Sequence, residues 1–317
     1  MPAVTADTLK LPRITSVRAG STARPVLGIV DAPTRLEGEG FQVRRPFPGI
    51  DLSIADPFLL LDHLGAVEYS PGEAKGAPDH PHRGFETVTY IIDGAIEHRD
   101  STGGGGVITD GATQWMTAGA GIVHSEMPPE YLVRRGGLFH GVQLWVNLPA
   151  VLKWSPPRYQ DIQPSQVALL SSADGGALVR IIAGEIDGQT GPGSTYTPIA
   201  YAHVTLQPDA RLEAPWRQDF NALVYVLAGT GSVGADARPI REGQLAVFGA
   251  GDHVVIQGDR RLGGTSATVE LLLLGGRPIR EPIVSYGPFV MNTREEIIEA
   301  IHDYQAGRMG HIPPITH

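Results

Sequence analysis

The sequence predicts an all-β protein that contains a duplicated β domain, and three observations support this prediction. Glycine (40) and proline (26) are abundant among the 317 residues, yet 42% of the residues are hydrophobic. This composition favours many turns between short buried strands. Short apolar segments bounded by Gly, Pro or Asp recur along the chain. Two of these segments also reappear later in the sequence.

The repeated segments keep the same order in both halves of the chain. Phe85, Tyr90 and Gly94 correspond to Phe, Tyr and Gly residues that lie 135 positions later. Residues 114–126 resemble residues 244–256, with an offset of 130. Ordered matches of this kind indicate two copies of one domain, and a chance match of turn residues is the alternative. The predicted divisions are an N-terminal extension (1–20), a first domain (21–150), a linker (151–165) and a second domain (166–317).

One helix is predicted near the end of the second domain, at about residues 293–306. Thr293 and Glu296 can form a capping box, and Gly307 provides a stop. Between them, apolar residues recur at helical spacing: Ile297, Ile298, Ile301 and Tyr304. We expect this helix to cover the second sheet.

Charge and cysteine content exclude several classes of function. The chain has 25 basic and 34 acidic residues and a net charge of −9, so nucleic acid is not expected as a direct ligand. No apolar run is long enough for a membrane span, and the N-terminal residues lack the apolar stretch of a secretory signal. The absence of cysteine excludes disulfides and thiolate metal sites. We predict a cytoplasmic monomer.

Two short motifs predict a metal site. His80 and His82 stand two residues apart, and so do His124 and Glu126, so each pair projects to one face of an extended strand. Three nitrogens and one carboxylate suit a divalent transition metal. The turn at 119–121 can bring the second strand across the first. The alternative is a metal-free scaffold in which the histidines are incidental.

The second copy lacks all four candidate ligands, which indicates one active and one structural half. At the offsets given above, the candidates correspond to Pro215 (for His80), Arg217 (for His82), Val254 (for His124) and Ile256 (for Glu126).

The four candidate ligands lie within a longer pattern of motifs that closely resembles the pirin family of the cupin superfamily, over roughly residues 38–310. The motifs are ADPFLLLDHLG (55–65), DHPHRGFETVTYIIDGAIEHRDSTG (79–103), QWMTAGAGIVHSEMP (114–128), LWVNLP (144–149), PPRYQDI (156–162) and VMNTREEIIEAIHDYQAGRMG (290–310). The resemblance implies two jelly-roll β-barrels in tandem, with one metal in the first. The family's three His and one Glu ligands fall on His80, His82, His124 and Glu126.

Pirins resemble quercetin 2,3-dioxygenases, which implies an enzyme that opens flavonols with O₂. A carboxylate can take the proton of the flavonol 3-hydroxyl, so Glu126, when it loosens from the metal, is the candidate general base. Fe(II) is the favoured metal, with Mn, Ni, Co, Cu or Zn as alternatives. Other pirins are described as iron-dependent regulators, which implies a redox-sensing module that binds a protein partner, such as a transcription factor or a metabolic enzyme.

Several polar residues carry weaker predictions. Many cupins use a Glu shortly after His-x-His, and Glu86 is therefore an alternative ligand or a supporting residue if its strand is regular. His98 is expected to have a structural role at a hairpin end. Gln143 and Asn147 lie on a strand that faces the cavity or, as the alternative, has a structural role. His63 and His140 are candidates for the pocket mouth, although no spacing supports them.

Overall fold

The computed structural model describes residues 4–259 and 268–313, which form strands, short turns and three helices. The strands before residue 165 are β1 (Val26–Asp31), β2 (Thr34–Glu37), β3 (Phe41–Arg44), β4 (Phe58–Tyr69), β5 (Ala77–His82), β6 (Phe85–Asp93), β7 (Ala95–Asp100), β8 (Gly105–Thr109), β9 (Thr113–Thr117), β10 (Ile122–Met127), β11 (Gly137–Asn147) and β12 (Arg158–Ile162).

The later strands and the helices follow the same pattern of short elements. The strands are β13 (Ala168–Ser171), β14 (Ala177–Ala183), β15 (Glu185–Ile186), β16 (Gln189–Thr190), β17 (Ile199–Leu206), β18 (Arg211–Pro215), β19 (Ala222–Ala228), β20 (Thr230–Val233), β21 (Arg238–Arg241), β22 (Gln244–Phe248), β23 (His253–Gly258), β24 (Val269–Gly276), β25 (Val284–Tyr286) and β26 (Phe289–Met291). The helices are α1 (Leu52–Ala55), α2 (Glu130–Arg135) and α3 (Arg294–Gln305). None of these helices is long and apolar enough to span a bilayer.

The two halves repeat one sheet topology. The first barrel combines a seven-stranded sheet, β12-β9-β6-β11-β4-β3-β2, with a four-stranded sheet, β5-β10-β7-β8. The second barrel combines β1-β22-β19-β24-β17-β14-β13 with β18-β23-β20-β21. The strand orders correspond position by position, so the predicted all-β fold with two tandem jelly-roll barrels is confirmed.

The large sheet of the second barrel takes one edge strand from the first half of the chain. Strand β1 precedes the first barrel but pairs with β22 of the second. Strand β12 follows the first barrel, within the predicted linker, and pairs with β9 of the first. The pairing of β1 therefore connects the segment before the first barrel to the second barrel. The domain limits taken from the sequence stay a prediction.

The interiors of the two barrels differ in polarity, although their strands correspond. In β19, Val224 and Val226 belong to the apolar core of the second barrel, while Leu223 and Tyr225 face the first barrel. In β6, the matching alternation places Val88 and Tyr90 in the same apolar cluster between the two large sheets. Its intervening residues are buried threonines, Thr87 and Thr89. The first barrel thus keeps a polar interior, in which a site can form.

A histidine pair is buried where the two large sheets meet. The Nδ1 atom of His63 lies 3.2 Å from the hydroxyl of Tyr225, and its Nε2 atom lies 2.8 Å from Nε2 of His140. Burial lowers the pKa of His63 to about 3 and that of His140 to about 4. Both imidazoles are therefore neutral at neutral pH.

The buried pair of His63 and His140 should lower the free energy of unfolding in mild acid. Below about pH 6.5 the unfolded chain protonates both residues while the folded chain does not, so the free energy of unfolding should fall as the pH decreases. Each histidine should contribute a slope of about 1.4 kcal/mol per pH unit down to its folded pKa. Urea unfolding of the His63→Gln variant should show a shallower slope than the wild type between about pH 4.5 and 6.5. The exposed His302→Gln control should match the wild type, and a His63→Gln slope equal to the wild type would contradict the prediction.

The C-terminal segment packs on the first barrel. Thr293 accepts a hydrogen bond from the Glu296 amide and completes a capping box, which confirms the predicted helix. The expectation that α3 covers the second sheet is wrong. Arg83 of the first barrel donates to Asp303 at 2.6 Å, and an apolar cluster joins the segment to Val123 on β10. The other buried members of the cluster are Phe289, Met291, Ile297, Ala300 and Met309.

A buried lysine ties this segment to the turn that follows β5. The Nζ atom of Lys153 donates to the Gly84 carbonyl at 2.8 Å, to Asn147 Oδ1 at 2.7 Å and to the Val290 carbonyl at 2.9 Å. Gly84 has a φ of +93°, and a Cβ there would stand 2.0 Å from the Val290 oxygen, so the turn requires glycine. Burial lowers the pKa of Lys153 to about 8. Asn147 is thus a structural partner of this lysine.

Replacing Lys153 with methionine is expected to lower the free energy of unfolding by about 2–4 kcal/mol, because three buried acceptors lose their donor. Urea denaturation at neutral pH measures the difference. The exposed Lys10→Met variant is the matched control and should stay within about 0.5 kcal/mol of the wild type. Equal stability of the two variants would show that the three contacts of Lys153 contribute nothing.

Candidate metal centre

Two neighbouring strands of the first barrel carry the candidate ligands. Strands β5 and β10 pair antiparallel, and this register places His124 opposite His80. Gly119 (φ +50°) and Gly121 (φ +129°) lie in the turn before β10. The predicted return of the second strand across the first is therefore confirmed.

Three imidazoles converge at this point. One ring nitrogen from each of His80, His82 and His124 lies within 4.8 Å of the other two. In residues 4–259 and 268–313 this is the only group of three or more His, Asp or Glu side chains arranged in this way. The ring centroids are 4.3–4.9 Å apart. The spacing lets the three donors share one ion.

Backbone carbonyls orient the rings of the two β5 histidines. The Nδ1 atom of His80 lies 2.7 Å from the Pro78 carbonyl. The Nδ1 atom of His82 lies 3.3 Å from the carbonyl of Pro288, in the C-terminal segment. A carbonyl only accepts, so each Nδ1 carries the proton and each Nε2 keeps its lone pair. The C-terminal segment thus helps to orient a candidate ligand in the first barrel.

The third histidine has a buried nitrogen with no partner. His124 is fully buried, and its Nε2 atom makes no hydrogen bond. Burial lowers the pKa of His124 well below its usual value, and it lowers the pKa of His82 to about 3. Both rings are therefore neutral at neutral pH, as metal ligation requires. A buried unpaired nitrogen is costly, and a bound metal ion would satisfy it. The residues present fit a divalent transition metal.

Glu126 borders the same cavity but stands outside the three-histidine group. Its carboxylate accepts a hydrogen bond from Thr89 Oγ1 at 2.7 Å and another from Gln143 Nε2 at 2.7 Å. Trp145 in turn donates to Gln143 Oε1 at 3.3 Å. Gln143, whose role the sequence left open, therefore holds the carboxylate of Glu126.

Glu86 does not join the histidines. Glu86 would share a face with His80 and His82 only if one regular strand ran through all three residues. Instead, β5 ends at His82 and β6 belongs to another sheet. Its carboxylate instead accepts hydrogen bonds from Thr117 at 2.7 Å and from Thr195 at 3.1 Å. Thr195 belongs to the second half of the chain, so Glu86 contributes to contact between the two halves.

A cavity of about 610 Å³ is lined by two of the three histidines, His80 and His82. At its margin Arg45 donates to both carboxylate oxygens of Asp62, each at 2.6 Å. The volume is within the usual range for small-molecule sites. The wall is largely apolar and includes Phe41, Leu60, Leu64, Val67, Phe139 and Trp145. His63 and His140 line a separate cavity of about 440 Å³.

Comparisons with known proteins agree with this architecture. The family model described as Pirin matches residues 40–146, and that described as Pirin C-terminal cupin domain matches residues 201–310. A pirin-like protein of Solanum lycopersicum is 40% identical over 291 residues, which cover 92% of this chain and 94% of the relative. The chain belongs to the pirin family.

Two further similar proteins, one curated relative and one solved structure, are matched over nearly their whole length. A pirin-like protein of Caulobacter vibrioides is 42% identical over 287 residues, covering 90% of this chain and 99% of the relative. A solved structure of a quercetin 2,3-dioxygenase from Acinetobacter baumannii is 36% identical, with a TM-score of 0.84. The match covers 92% of this chain and all of that one. The tandem arrangement of cupin domains is therefore common to this pirin and a solved dioxygenase.

The second barrel of this pirin fills the corresponding space with apolar side chains. Strand β23 pairs with β18 so that Val254 stands opposite Ala214, as His124 stands opposite His80. The sequence offset had assigned Pro215 to the position of His80, which is one residue too far. Val254, Ala214 and Ile256 all belong to the apolar core. The second barrel thus has no ligand set at this position.

His98 is the residue whose surroundings the sequence analysis missed. It was expected to have a structural role at a hairpin end, but it is fully buried and its Nδ1 atom lies 3.4 Å from Nδ1 of His124. Its Nε2 atom lies 3.1 Å from Asp100 Oδ2. Burial opposes ionisation of Asp100, but hydrogen bonds from His98, Thr102 and Gly104 outweigh it and lower the pKa to about 2. The His-x-Asp spacing on β7, with both side chains on one face, was the available signal.

Proposed function

We propose that this protein is a metal-dependent dioxygenase that opens the ring of flavonols such as quercetin with O₂. The observation that carries the proposal is the buried, unpartnered Nε2 atom of His124, which lies in a group of three imidazoles beside a cavity of small-molecule size. The likeness to the Acinetobacter dioxygenase supports the choice of reaction. The apolar wall of the cavity suits an aromatic substrate.

We assign His80, His82, His124 and Glu126 as the ligands of one divalent metal ion. When bound, such an ion would supply Lewis acidity, and a redox-active ion such as Fe(II) would also supply one-electron chemistry. Three imidazoles and a carboxylate suit several ions, of which Fe(II) is our choice, with Mn, Ni, Co, Cu and Zn as alternatives. The residues themselves contribute a rigid set of donors, because hydrogen bonds orient the rings of the two β5 histidines.

Glu126 is the proposed general base. Its carboxylate would take the proton of the flavonol 3-hydroxyl, which leaves an electron-rich enolate. The enolate is the reductant and O₂ is the oxidant, and both oxygen atoms enter the products as the ring opens. Thr89 and Gln143 hold the carboxylate in place through one hydrogen bond to each oxygen.

Aerobic incubation with quercetin tests this function. Iron-loaded protein should bleach the visible absorbance of quercetin and consume O₂ in equal amounts, whereas chelator-treated protein should do neither. Restoring the metal should restore both signals. Absence of metal-dependent turnover with several flavonols would overturn the enzymatic proposal and favour an iron-dependent redox sensor that binds a protein partner.

A further inference from the structure

We propose that His98 and Asp100 are positioning residues that orient the candidate ligand His124 through a hydrogen-bonded chain, Asp100–His98–His124. This inference rests on the proposed metal site. It adds two residues, His98 and Asp100, that do not line the cavity and do not belong to the three-histidine group.

The direction of each hydrogen bond follows from the chemistry of its acceptor. The carboxylate of Asp100 only accepts, so Nε2 of His98 carries the proton and donates to it at 3.1 Å. Nδ1 of His98 is then the acceptor, and it is shared between Gln114 Nε2 at 2.8 Å and Nδ1–H of His124 at 3.4 Å. His124 is left with an unprotonated Nε2, the same buried atom that has no partner within the described chain. One carboxylate thus determines the protonated nitrogen of two successive imidazoles.

The surroundings of His98 restrict its movement. Gln114 Nε2 lies 2.8 Å from Nδ1 of His98. The ring of Tyr159, on β12, stacks on the His98 ring with centroids 4.9 Å apart and an angle of 19° between the planes. Asp100 is held by the Thr102 amide at 2.8 Å and the Gly104 amide at 3.0 Å. These contacts hold both the imidazole of His98 and the carboxylate of Asp100 in place.

The second barrel provides an internal comparison. On β7, His98 stands opposite Glu126 of β10. On β20, Val233 stands opposite Ile256 of β23. The half that lacks the candidate ligands therefore also lacks the histidine behind them, and Val233 is part of its apolar core. A purely structural role for His98 gives no reason for the two differences to occur together.

The Asp100→Asn substitution tests the chain with little change in shape. The new amide nitrogen would donate to Nε2 of His98 and move the His98 proton to Nδ1, where it would face the Nδ1–H of His124. The binding of Co(II), used as a probe metal in competition with a chelator, should weaken by about 10- to 100-fold. Nitrogen-15 NMR of histidine-labelled, metal-free protein should show the change of tautomer directly. Asp110→Asn is the matched control, because Asp110 also accepts from a backbone amide in a turn but is exposed.

A second variant covers the case in which Asp100→Asn fails to fold. His98→Leu removes the middle of the chain, and it should weaken Co(II) binding by a similar factor. The double variant should bind no more weakly than either single variant, because the two residues act as one unit. Co(II) affinity in both single variants within about twofold of the Asp110→Asn control, or an unchanged His98 tautomer in Asp100→Asn, would overturn the inference. Failure of the wild-type protein to bind Co(II) would instead overturn the metal site.

Discussion

Replacement of His124 by valine, the residue that the second barrel carries at this position, is expected to abolish metal binding. The affinity should fall by at least about 100-fold, because losing a ligand costs more than losing a group that orients one. Elemental analysis after reconstitution and chelator competition with Co(II) measure the loss. Quercetin turnover should disappear with the metal.

Thermal unfolding provides an independent measure of the same change. Metal at about 100 times its dissociation constant should stabilise the wild type by about 2.7 kcal/mol, since only the folded chain presents the site. The His124→Val variant should show no such shift, and His302→Val, an exposed substitution on α3, should retain it. Circular dichroism establishes that the variant folds. A folded His124→Val protein that binds a full equivalent of metal would remove His124 from the ligand set.

The Glu126→Gln variant should lose most turnover while it retains metal. Glutamine has nearly the shape of glutamate but cannot take the proton, so kcat should fall by about 10²- to 10⁴-fold. The three histidines remain, so metal should still bind, with a reduced affinity. Steady-state kinetics with quercetin and metal analysis on the same samples separate the two effects.

The exposed Glu130→Gln variant, on helix α2, serves as the control for Glu126→Gln and should match the wild type. Unchanged kcat in Glu126→Gln would exclude Glu126 as the base. Complete loss of metal would show instead that its main contribution is as a ligand. The two outcomes can be read from one preparation.

Local geometry explains which parts of the structure could be predicted. Residues two apart on a strand share a face, so His80 and His82 could be paired from the sequence alone. The capping box of Thr293 and Glu296 is also complete within four residues. The pirin motifs added the two-barrel architecture and its relation to quercetin 2,3-dioxygenases.

The predictions that failed depended on distant contacts. Glu86 was aligned with the histidines on the assumption of a regular strand, but Gly84 turns the chain into another sheet. The partner of α3 is set by Arg83, which is 220 residues from Asp303 in sequence. His98 contacts His124 across two strands. The neighbouring residues do not indicate these partners, although the His-x-Asp spacing on β7 places His98 and Asp100 on one face.

The pairing of β1 with the second barrel has a consequence for any attempt to divide the molecule. A cut placed after residue 165 would leave the first fragment with β1, which has no sheet to join there, and the second fragment with β22 unpaired on one side. A cut placed before β12 would also remove the edge strand of the first large sheet. Strands left unpaired at the edge of a sheet promote association with other chains. The second barrel therefore depends on a strand that precedes the first barrel, so the two barrels should be expressed together as one chain.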